Sequence, residues 1–98
     1  MSEEILMRVL TTKPITQKEL ASILNCSDSE IRSMIHDLRM EGVKICSGYD
    51  GVWLWNGEDN SWELTKNHIR SRAMSMITLL RAMELSYDGQ GEQIGVNL

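Results

Sequence analysis

Ninety-eight residues and 11.2 kDa bound this chain to one small domain, and a hydrophobic content of 42% is enough for a core. A net charge of −4 and a pI of about 5.1 exclude a uniformly basic surface, so any contact with nucleic acid would need a local patch. No secretory segment and no apolar run long enough for a bilayer is present, so a cytoplasmic protein is expected, with Cys26 and Cys46 as reduced thiols.

In chain order, residues 2–10 read as a first helix, with Ile5, Leu6, Val9 and Leu10 facing inward. Pro14 ends it, because the residue before a proline is driven out of the helical region. Ile15 is then expected as a single extended residue lying against a sheet. Two further helix starts follow. Thr16 with Glu19, and Ser27 with Glu30, have the spacing of capping boxes, in which a hydroxyl accepts from a first-turn N–H and a glutamate returns to the cap. Leu20, Ile23 and Leu24 share one face after the first box. Ile31, Met34, Ile35 and Leu38 share one face after the second. Only Asn25 and Cys26 separate the two helices, which forces a sharp turn. Such a pair reads as a helix-turn-helix, with its second helix, residues 28–41, placed to enter a groove.

Gly42 is expected as the left-handed end of that helix. The pattern then changes to a two-residue period over 43–46 and again over 52–55, with the turn-rich residues 47–51 between, as a hairpin requires. Asn60, with Glu63 three residues on, has the spacing of a third capping box. Apolar positions at threes and fours continue from Trp62 to Met83, predicting a helix to about residue 86, roughly 40 Å long. The expected organisation is a winged helix-turn-helix over 1–57, a C-terminal helix over 58–87 and a flexible tail over 88–98. The fold class is mainly α with a small β-hairpin.

The run 38–47, LRMEGVKICS, followed by Gly51-Val52-Trp53-Leu54, resembles the winged helix-turn-helix family of small phage and prophage proteins. That family has a leucine-arginine pair before a glycine, an I-x-S strand, and a return strand of glycine, aromatic and leucine. The similarity covers about residues 3–83. It departs at Val52, where the family often has an aromatic, and at Trp55, where it often has a small residue. The resemblance implies a small DNA-binding protein, a regulator or a replication accessory.

The candidate DNA-contacting residues are Lys18, Ser27, Ser29, Arg32, Ser33, His36, Arg39, Lys44 and Tyr49, with Lys13 nearby. Arginine suits guanine, the hydroxyls suit base or phosphate, and the lysines suit phosphate. Four acids, Asp28, Glu30, Asp37 and Glu41, stand in or next to the same helix and oppose this reading. Trp53 and Trp55 share one strand face and need a cover, either the last helix or a second subunit. Ile69, Ala73, Met76, Ile77, Leu80 and Met83 could pair antiparallel with a twin, and these six with the two tryptophans form the expected homodimer surface. Cys26, Cys46, His36 and His68 lack metal-site spacing, so no metal or cofactor is expected. No nucleophile, base or phosphate-cradling loop suggests an enzyme. The favoured expectation is sequence-specific binding of double-stranded DNA. The alternative is a winged-helix protein-interaction module, an inhibitor or adaptor of a host or phage protein, that binds no DNA.

Overall fold

The structure, a computed structural model, describes the backbone of residues 2–97 and the side chains of residues 3–86. The chain divides into two compact units, Met1–Thr65 and Lys66–Leu98.

The first unit contains α1 (Ser2–Val9), α2 (Gln17–Leu24), α3 (Asp28–Met40), β1 (Ile45–Gly48), β2 (Gly51–Leu54) and the first turn of α4 (Ser61–Asn97). Local chemistry sets the helix ends. The capping boxes of α2 and α3 form: Thr16 Oγ1 accepts from the Glu19 N–H while Glu19 Oε1 accepts from the Thr16 N–H, and Ser27 and Glu30 repeat the exchange. At the other end of α3, the Gly42 N–H reaches the Arg39 carbonyl and the Val43 N–H reaches the Leu38 carbonyl. This is a Schellman closure, and Gly42 takes the left-handed φ of 99° that it needs. Asn25 plays the glycine's part after α2, at φ 54°, with its own N–H on Ser22 and the Cys26 N–H on Ala21.

β1 and β2 pair antiparallel, with Ile45 opposite Leu54 and Gly48 opposite Gly51. The hairpin turn is therefore only Tyr49-Asp50, tighter than the loop over 47–51 read from the sequence, because Ser47 and Gly48 remain in the ladder. Ile15 forms the expected lone bridge, exchanging both backbone hydrogen bonds with Val52 at 2.8 and 2.9 Å. The core is one cluster in which Leu6, Leu20, Ile31, Ile45 and Val52 are fully buried. Each such side chain stabilises by about 1.5–3 kcal/mol relative to exposure. Three helices closed by a small hairpin, with a long helix following, make a winged helix-turn-helix.

The first unit runs to Thr65. The Thr65 hydroxyl accepts from the Ser47 N–H at 3.1 Å, so the start of α4 closes onto β1. In the second unit α4 continues to Asn97, through the stretch read as a tail. Gly89, Gly91 and Gly95 do not stop the helix, because an internal glycine costs it only about 1 kcal/mol, whereas proline would break it. Side chains of that stretch, and all of Leu98, lie outside the described residues. Among the described residues, no helix is long and apolar enough to cross a membrane.

Candidate nucleic-acid interface

The helix-turn-helix is aimed by its backbone. The left-handed Asn25 reverses the chain within one residue, and the Ser27 box starts α3 immediately afterwards. Burial of Ile31, Ile35 and Leu38 then fixes the rotation of α3 about its axis. The opposite side carries Ser29, Arg32, Ser33 and His36, all exposed. At about 100° per residue, positions spaced three, four and seven apart fall within roughly one third of the helix circumference. Met40, 76% exposed, lies on the same line.

No acid lies on that stripe. Glu30, Asp37 and Glu41 are spaced seven and four apart, so they line up about a quarter-turn to one side, and Asp28 lies about as far to the other. The three aligned acids border α1, where Glu3 meets two of them. Burial raises the Glu3 carboxyl above its ordinary value, the charges of Glu41 and Asp37 add to this, and Glu3 and Asp37 share a hydrogen bond. The four acids that oppose a groove-reading α3 are thus segregated from its exposed polar face. The seven-four spacing was visible in the sequence and was the signal that could have separated them. Burial, followed by the charges of Glu30 and Asp28, also raises the Cys26 thiol, keeping it protonated in the turn.

The other candidates divide. Lys18 is exposed on the first turn of α2. Lys44 is exposed before β1, its Nζ 4.9 Å from the Trp55 ring centroid. Tyr49 is fully exposed at the hairpin tip. Ser27 is exposed, with its oxygen engaged in the cap of α3. Arg39, expected from sequence among the DNA contacts, is half-buried. Its Nε donates to the Ile45 carbonyl at 2.9 Å and its second guanidinium nitrogen to Ser47 Oγ at 3.2 Å. It ties α3 to β1 because its position, one residue past Leu38, turns it toward the hairpin.

Trp53 and Trp55, grouped from sequence with the dimer surface, both have partners within the first unit. Trp53 Nε1 donates to Ser61 Oγ at 3.3 Å, and Trp55 Nε1 donates to the Asp59 carbonyl at 2.9 Å. Asp59 in turn accepts from the Ser61 N–H and hydroxyl, which hold its carboxyl below the usual range. Ser61 and Thr65 therefore complete the back of the hairpin. Nothing in their sequence spacing singles them out, since both partners are distant along the chain. In the second unit, Ile69, Met76, Ile77, Leu80 and Met83 are 40–70% exposed, and Ala73 is exposed with them.

This geometry agrees with one comparison. Residues 2–47 match the family model of the HTH domain. The matched segment, a little under half the chain, takes in α1, α2, α3 and most of β1. That segment is similar to the helix-turn-helix domain family. β2 and α4 lie beyond the match. No curated protein and no solved structure gives a significant match.

Proposed function

We propose that the helix-turn-helix domain binds double-stranded DNA sequence-specifically, with α3 in the major groove. The observation that carries this is the acid-free exposed stripe of Ser29, Arg32, Ser33 and His36 on a helix whose carboxylates are held to its sides. Arg32 reads a guanine edge, and the serines bond base or phosphate. Lys18 and Lys44 reach phosphates on either side, and Tyr49 lies at the wing tip beside the backbone. The chain acts as a homodimer through α4, whose two-fold symmetry suits a palindromic site. A phage or prophage regulator or replication accessory is the role that the resemblance at 38–54 implies.

Selection from a random duplex library, followed by anisotropy titration of the intact chain, tests this. Binding is expected to weaken steeply as salt rises, because phosphate contacts release counterions. Failure to enrich any duplex at low salt, or affinity indifferent to salt, overturns it.

A second reading has its own observation. Ile5, Ile23, Leu24 and Met34, with Cys26, Glu30 and Ser33 beside them, line a groove of about 430 Å³, with Ile5 and Ile23 each about half exposed. A winged-helix interaction module would dock a protein there. Binding to a protein that survives high salt and is lost in Ile23→Glu, with no duplex enriched, is its signature.

A further inference from the structure

The exposed face of α4 has an internal pattern that the groove-reading helix does not use. Ile69, Ala73, Met76, Leu80 and Met83 are separated by four, three, four and three residues, the a/d repeat of a coiled coil. The flanking positions are unequal. One side carries Arg70, Ile77 and Glu84, and the other carries Arg72, Leu79 and Ser86. All these side chains are exposed. In coiled coils such flanks set direction and register.

We propose that α4 pairs with a second copy of itself, antiparallel, about a two-fold axis beside Ile77 and Leu79. This rests on the dimer proposed above and adds its direction and register. In this arrangement Ala73 of each copy packs opposite Met83 of the other, and Met76 opposite Leu80. Ile77 and Leu79 each meet their own equivalents across the axis. Arg70 of each copy meets Glu84 of the other, so the ion pair forms twice by symmetry. A slip by one heptad places Arg70 opposite Ile77 with Glu63 opposite Glu84, or Glu84 opposite Ile77. A parallel pair in register places Arg72 against Ile77 and Leu79 against Glu84. Of these arrangements, only the first matches charge to opposite charge and apolar flank to apolar flank. It also overlaps the two helices nearly end to end, since the midpoint of Ser61–Asn97 falls at Leu79.

The test uses the intact chain without DNA. Arg70→Glu or Glu84→Arg alone places like charges at both symmetric sites and is expected to weaken association by about tenfold or more in sedimentation equilibrium, while R70E/E84R restores it to within about threefold. In a Cys26→Ser background, with Cys46 left in place because it is fully buried, Ala73→Cys and Met83→Cys supply a second readout. Neither single variant is expected to crosslink to itself, and an equimolar mixture is expected to give a covalent dimer. Self-crosslinking of either variant, or a dimer indifferent to both reversals, overturns the register and leaves the dimer standing. Monomer mass at every concentration overturns the dimer and the register together.

Discussion

Arg39 Nε donates to the carbonyl oxygen of Ile45 at 2.9 Å, so the guanidinium holds the end of α3 to the first residue of β1. The bond is half-buried, and the same group reaches Ser47. Arg39→Ala is expected to cost about 1–3 kcal/mol of folding stability, because it leaves the Ile45 carbonyl short of a donor. Arg39→Lys should recover only part of this, having lost the planar fork. Urea unfolding of the three proteins checks the order.

Gly51 begins the return strand at φ 129°, and a β-carbon there would collide with the backbone of Ile15. Gly51→Ala thus meets both a disfavoured backbone region and main-chain atoms that cannot rotate away. A loss above about 2 kcal/mol is expected. Gly57→Ala is the control: its φ is also positive, but open space surrounds it, so a smaller loss in thermal unfolding is expected.

Duplex recognition by α3 predicts unequal effects along the helix. Arg32→Ala is expected to cost about 1–3 kcal/mol of binding and to relax specificity at one base position. Asp37→Asn, on the acid side, should leave the base preference unchanged. Titration against a series of single-base site variants distinguishes the two. Equal affinity of Arg32→Ala and the parent across that series would remove Arg32 from the interface.

Two carboxylates should give stability opposite dependences on pH. Glu3 has a raised pKa, from burial and then from Glu41 and Asp37. The folded state therefore holds its proton to higher pH than the unfolded chain, and stability falls as pH rises from the ordinary value of 4.5 to the raised one. Glu3→Gln should stabilise at neutral pH, with the gain vanishing in acid. Glu19 has a lowered pKa, from its backbone and then its side-chain bonds to Thr16. Its contribution is present at neutral pH and is lost as pH falls through the lowered value, so Glu19→Gln should destabilise at neutral pH and do nothing in acid. Melting temperatures of both variants at pH 7 and pH 3 test both signs.

What was legible in the sequence was what local chemistry determines. Thr16, Ser27 and Gly42 announce their caps because both partners lie within a few residues. Ile15 was placed by Pro14 before it and the capped helix after it. The apolar face of α3 followed from spacing alone, and the same arithmetic applied to Glu30, Asp37 and Glu41 would have separated the acids from the contact stripe. Arg39, Trp53 and Thr65 were not legible in this way. Their roles depend on partners six to eighteen residues distant, brought together only when the hairpin closes. The continuation of α4 was hidden by glycines, which weaken a helix without stopping it.

The bond from the Ser47 N–H to the Thr65 hydroxyl has a practical meaning for anyone who shortens the chain. The sequence invites a cut after Gly57, where the loop begins. That cut would remove Ser61 and Thr65, strip Trp53 of its hydrogen-bond acceptor, and leave the Ser47 N–H and the Cys46 thiol without their partners. A fragment ending there should expose its tryptophans and aggregate. The smallest piece that keeps the hairpin backed ends just past Thr65, after the first turn of α4.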